Sequence, residues 1–211
     1  MVVLLSLIGL PAASAETWSA PDKRRDVTSL RYSPDPEPCG TTVRKKKPRD
    51  KKTDIVGLSV DHGPEVVVVE ISLRSLRPKQ KFGAQIDVRT SGRDYEVEVD
   101  RYAPQGFPDV YVTEEYVPDD PEPGACGPVG IIEQPLECDD LVTSSDATTD
   151  VVRVEVPRSC LGQPDWVRVG VATYRFKGMT SFHDFWGRRA DSPKDNPWVN
   201  PLGPRVHADA A

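Results

Sequence analysis

Residues 54–76 carry the pattern that most narrows the fold: Asp54-Ile-Val-Gly-Leu-Ser-Val-Asp61, a His62-Gly63-Pro64 break, then Glu65-Val-Val-Val-Val-Glu-Ile-Ser-Leu-Arg74. Two β-branched runs of strand length on either side of a Gly-Pro corner predict a β-hairpin. By the two-residue period of a strand, Val67, Val69, Ile71 and Leu73 share one apolar face, with Val66, Val68, Glu70, Ser72 and Arg74 opposite. A wholly apolar face has to be covered by a second layer. The hairpin therefore reads as scaffold, with His62 as a turn residue at its corner.

The same alternation recurs. Phe82, Ala84, Ile86 and Val88 fall on one side of their run, Ser91-Gly92 supplies a turn, and Tyr95, Val97 and Val99 continue the pattern as a second hairpin. Further strand-length runs occupy 26–32, 109–117, Ile131-Ile132, 141–144, 150–156 and 166–176, the last with Val167, Val169 and Val171 facing inward. The 21 prolines, twice the usual ~5% share, suit loops and strand edges and exclude long interior helices. About nine or ten short strands without a convincing helix predict an all-β fold, a two-layer antiparallel β-sandwich of jelly-roll or immunoglobulin-like kind. A parallel α/β sheet is excluded.

The 211 residues suit one domain with tails. Val2 to Leu10 is an apolar run followed by Pro11-Ala-Ala-Ser-Ala15, a small-residue cleavage pattern, so residues 1–15 read as a signal peptide and the protein as secreted. That run is shorter than the ~20 residues a membrane-spanning helix needs, and no later stretch is apolar enough to span. Residues 16–25 are polar and expected to fray, 26–190 form the sandwich, and 191–211 are a loosely held tail.

All four cysteines lie beyond the cut, and an even count in an exported chain points to disulfides. A hairpin formed by 141–144 and 150–156 would set Cys138 and Cys160 opposite each other at its open end, leaving Cys39 for Cys126. The runner-up joins Cys126 to Cys138 and Cys39 to Cys160. No C-x-x-C pair is present to suggest zinc.

The strands formed by Phe82-Gly-Ala-Gln-Ile86-Asp87 and Asp94-Tyr95-Glu96-Val97 resemble the paired-strand pattern of family-9 carbohydrate-binding modules and DOMON-type domains. Together with Val156-Pro-Arg-Ser-Cys160-Leu161 and Trp166-Val-Arg-Val, they also resemble a broad set of uncharacterised exported bacterial sandwich proteins. The likeness covers about residues 50–175. It implies a two-sheet antiparallel sandwich of a type whose members bind sugars or haem, or have no known ligand.

For function, the strongest compositional anomaly is Arg44-Lys45-Lys46-Lys47-Pro48-Arg49-Asp50-Lys51-Lys52, seven cations in nine positions, expected to form a self-repelling basic loop over 40–53. Such a loop could dock an anionic envelope polymer or glycan; its plainer reading is a solvated segment balancing an acidic remainder. The net charge of -6 and the lack of interleaved aromatics exclude nucleic acid. Residues 118–130 form an acidic, Pro-rich loop. Tyr102, Tyr111 and Trp186 lie off the main alternation and would make a sugar-stacking platform if exposed, or core plugs if buried. Asp87 and Asp94 are the carboxylate pair with most promise for calcium, which takes six to eight oxygens, against the better reading of a salt-bridged face. His183 and Asp184 offer a base and its orienting acid, yet no nucleophile stands in a G-x-S-x-G setting. Met179 and His183 sit on one short segment and cannot reach opposite faces of a haem, so no cofactor is expected. The chain thus reads as a non-enzymatic secreted binding protein; the alternatives are a structural envelope protein or a hydrolase using His183 and Asp184.

Overall fold

A computed structural model describes residues 16–33, 41–100, 109–116, 130–187 and 200–208, with backbone alone for 32, 41, 42, 109–116 and 130–133. The strands are β1 (Glu16–Pro21), β2 (Thr28–Ser33), β3 (Thr41–Lys46), β4 (Ile55–His62), β5 (Val66–Leu73), β6 (Gly83–Arg89) and β7 (Asp94–Asp100). They continue as β8 (Asp109–Tyr116), β9 (Gly130–Leu136), β10 (Val142–Asp146), β11 (Val151–Pro157), β12 (Trp166–Lys177), β13 (Thr180–Phe185) and β14 (Val206–His207). A 3-10 turn at Arg158–Leu161 is the sole helical element among the described residues.

Every pairing is antiparallel, and the strands form two sheets. The shorter has the order β1-β4-β5-β11-β10; the longer runs β3-β2-β13-β12-β6-β7-β8-β9. β14 pairs with β12 at Trp166 and Val167, ahead of the stretch Ala172–Lys177 that pairs with β13. The expected two-layer all-β architecture is therefore present. Val67, Val69, Ile71 and Leu73, with Leu58, Val60, Val152, Val154 and Val156, form the shorter sheet's buried face. They share one cluster with Ala84, Ile86, Val88, Val97, Val99, Val167, Val169 and Val171 of the longer sheet. Each fully buried side chain of this size contributes about 1.5–3 kcal/mol, which is why alternation alone could announce the sandwich.

The Cys138–Cys160 disulfide closes the open end of the β10–β11 hairpin, with Cα atoms 5.7 Å apart and a sequence separation of 22. A loop of that length is worth about 3 kcal/mol. The pairing removes the alternative Cys126–Cys138 bridge; Cys39 and Cys126 themselves lie outside the described residues, as do residues 1–15, 118–129 and Tyr102.

Three stretches are more ordered than their composition suggested. Residues 16–25 do not fray: β1 pairs with β4 from Glu16 opposite His62 to Pro21 opposite Gly57, and Trp18 packs edge-on against Trp186 at 5.2 Å. The basic run is not a free loop. Its first part is strand β3, whose backbone ladder with β2 outweighs the repulsion of its side chains. Its second part is pinned by the Asp50 carboxylate, which pairs with the Arg175 guanidinium, and by Gln80, whose amide donates to the Lys52 carbonyl at 2.7 Å. Residues 200–208, expected to belong to a loose tail, lie along β12: the Gly203 N–H donates to the Val169 carbonyl at 2.9 Å, and Val206 is buried. Gly170 permits this approach, because a Cβ there would stand 2.7 Å from the Pro201 carbonyl oxygen. His62 is likewise no turn residue. It is fully buried, with Nδ1 3.0 Å from the Val206 carbonyl oxygen, which can only accept, so Nδ1 carries the proton.

Candidate functional site

Antiparallel register places paired residues on one face of a sheet. On the longer sheet it lines up His183, Tyr174, Gly83 and Asp100 across β13, β12, β6 and β7, and beside them Phe185, Ala172, Gln85 and Glu98. These two rows point away from the core and, Gly83 apart, line with Phe176 a groove of about 530 Å³. Phe185 is buried at its floor, His183 and Tyr174 are half-buried, and Phe176 stands 56% exposed. The Tyr174 ring lies so close over β6 that a Cβ on Gly83 would come within 2.2 Å of it, so glycine here lets the ring rest on the strand and any larger residue would displace it. The Tyr174 hydroxyl donates to Glu98 Oε1, which fixes the ring's outer end. The His183 and Phe185 rings are nearly parallel at 13°, and Tyr174 is tilted 32° from His183. Phe176 stands edge-on to Tyr174 at 62°, so the rings beside Glu98, Asp100 and Gln85 combine apolar surface with hydrogen-bonding groups, the composition of a small-ligand cleft.

Burial pushes the His183 imidazole down from 6.5 to about 4, so it is neutral at physiological pH. A histidine held neutral in the fold contributes stability above its unfolded pKa and loses it as pH falls through the folded one. Wild-type and His183→Phe proteins should accordingly show a stability difference that changes between pH 6.5 and about 4 and is flat above this window. Urea melts across that range would measure it, and parallel curves would refute it.

A second concavity, about 590 Å³, lies where the longer sheet's β3–β2–β13 flank carries its inward-parity face. Arg31, Lys45 and Lys47 line it with Ser29, Ser33, Val43, Thr180 and the exposed Met179. Strand alternation separates the basic quartet: Lys45 and Lys47 face this cleft, while Arg44 and Lys46 have the opposite parity.

The other residues singled out by sequence fall in different places. Trp186 is no exposed platform; it is half-buried against Trp18, a plug at the sandwich end. Tyr111 is on β8, opposite Glu96, with its side chain outside the described residues. Asp94 is engaged by the Arg89 guanidinium at 2.7 Å. Asp87 accepts from the Gln85 amide at 3.2 Å, and its burial lifts the carboxyl to about 6. The salt-bridged-face reading thus describes Asp94. His183 and Asp184 do not form a dyad, because neighbouring strand residues project to opposite faces. His183 stacks in the groove, whereas Asp184 turns inward and accepts the Ile55 N–H at 2.7 Å.

Sequence reading missed the company that Asp184 keeps. Asp22 follows β1, Asp26 precedes β2, and with Asp184 they present carboxylate oxygens that all lie within 4.8 Å of one another. Asp54, just before β4, stands beside them but is committed: it accepts the Arg25 N–H at 2.9 and 3.2 Å and pairs with the Arg74 guanidinium. This anchoring holds Arg25 in the left-handed region, φ 73°, and so shapes the turn that brings Asp22 and Asp26 together. Burial lifts the Asp22 and Asp26 carboxyls to about 6 and about 7, and holds that of Asp184 well above the usual range, with repulsion from neighbouring carboxylates, Asp54 for all three, adding to it. Comparison with known proteins finds no matching family model, no matching curated protein and no matching solved structure.

Proposed function

We propose that the protein is an exported, non-enzymatic β-sandwich that binds a glycan chain in the outer-face groove of Tyr174, Phe176, His183 and Phe185. The observation that carries this reading is the cluster of rings, His183 and Phe185 nearly parallel and Phe176 edge-on to Tyr174, with Gln85, Glu98 and Asp100 alongside, spread over four adjacent strands. Aromatic faces receive the apolar faces of sugar rings, and carboxylates and amides accept or donate to hydroxyls. The Cys138–Cys160 disulfide favours an oxidising compartment. The likeness of the β6–β7 strands to carbohydrate-binding modules points the same way.

A glycan array followed by affinity electrophoresis of the full chain tests it. Phe176→Ala removes an exposed ring without touching the core and should weaken binding about tenfold or more. Full retention by that variant, or indifference of the wild type to every glycan, would reject the groove and favour a structural envelope role. The basic cleft supports a second reading, docking of an anionic polymer on Arg31, Lys45 and Lys47. Binding there would fade with salt and fall in a Lys45→Gln/Lys47→Gln double variant, while groove binding would do neither.

A further inference from the structure

We propose that Asp22, Asp26 and Asp184 form a binding site for one divalent cation, Ca²⁺ in particular, which ties the β1–β2 connection to β13. Three carboxylates converge from two chain segments, the β1–β2 connection and β13, and among the described residues none of them has an ion-pair partner. Asp26 is 6% exposed, and both its carboxylate oxygens are buried without a hydrogen-bond partner. The Oδ2 of Asp22 is in the same condition. A buried carboxylate with nothing to receive its charge costs several kcal/mol, so three together require protons or a cation.

The arrangement suits the cation. Oxygens on opposite sides of Ca²⁺ sit about 4.6–5.2 Å apart, and the Asp22, Asp26 and Asp184 oxygens lie within 4.8 Å of one another. Two of the carboxylates are already aimed by backbone donors: Asp184 Oδ2 by the Ile55 N–H at 2.7 Å, and Asp22 Oδ1 by the Gly187 N–H at 3.0 Å. Such outer partners orient ligands around an ion. The donor set is oxygen only, which selects hard cations over zinc or copper.

The test uses the full chain after dialysis against a chelator, titrated calorimetrically with CaCl₂ and with MgCl₂, alongside thermal melts in chelator and in Ca²⁺. The expected results are one Ca²⁺ bound per chain and a higher Tm with Ca²⁺. Asp26→Asn is isosteric and removes buried charge, so it should fold at least as well in chelator. It should bind Ca²⁺ at least about tenfold more weakly, with a Tm that no longer responds. Should that variant fail to fold, Asp22→Asn, at the half-buried member, takes its place with the same expectation. Absence of binding and of any Tm response in the wild type would overturn the proposal and leave the cluster as carboxylates sharing protons. A Ca²⁺ response unchanged in both variants would overturn it by placing the ion elsewhere. A response to Mg²⁺ alone would overturn the assignment to Ca²⁺.

Discussion

Replacing Arg74 by Met should destabilise the protein by about 3–5 kcal/mol at neutral pH, the usual loss when one partner of a buried ion pair is removed. The Asp54 side chain is 0% exposed and that of Arg74 13%, so water cannot take over the role of the guanidinium. What remains in Arg74→Met is a buried carboxylate held by the Arg25 N–H, with the Asp22, Asp26 and Asp184 carboxylates close by. Adding Asp54→Asn to Arg74→Met removes the stranded charge and should restore a substantial part of the loss. Urea denaturation of the two single variants and the double variant gives the coupling directly. A single-variant loss below about 1 kcal/mol, the level of an exposed pair, would show that Arg74 is dispensable. The expected loss also bears on the acidic cluster, because Asp54 fixes the turn on which Asp22 and Asp26 sit.

Phe82→Ala should cost a similar amount, about 3–5 kcal/mol. Phe82 is fully buried, the largest wholly enclosed side chain among the described residues, and lies immediately before the strand that carries Gly83. Its removal leaves a cavity in the shared core of both sheets, and sheets packed to interior density collapse onto such a void only in part. Phe82→Leu retains most of the volume and should lose much less. If Phe82→Ala and Phe82→Leu melt together, the site relaxes freely and the packing argument fails. Because the Tyr174 ring rests on Gly83, binding in the groove should weaken in Phe82→Ala more than in Phe82→Leu.

Local periodicity made the scaffold legible. The alternating sets at Val67–Leu73, Phe82–Val88 and Val167–Val171 are all in the core, because a strand in a two-layer sandwich turns every second residue toward the other sheet. The hairpin turns and the Cys138–Cys160 bracket were legible for the same reason, being set by neighbours in sequence. β14 was not: it is two residues long, and its partner on β12 lies some forty residues earlier. β3 was hidden by its charge, since repulsion between side chains says little about whether the backbone beneath them finds a ladder. The groove escaped notice because its rings come from alternate positions of β12 and β13, and only cross-strand register brings them together. The aspartates escaped for a stronger reason of the same kind. Asp22, Asp26 and Asp184 meet only after the chain has folded, whereas Asp87 and Asp94 drew attention by being near in sequence.

Among the described residues β3 is the end strand of the longer sheet, which has a consequence for the protein in a crowded solution. An outermost strand offers a free row of backbone donors and acceptors to any extended chain that meets it. Here that row is flanked by Arg44, Lys45 and Lys46, with Lys47 directly after, so an identical strand approaching edge to edge would bring like charges into contact on both faces. The cationic run thereby acts as a guard that keeps two copies from zipping into a continuous sheet. That effect asks for no ligand.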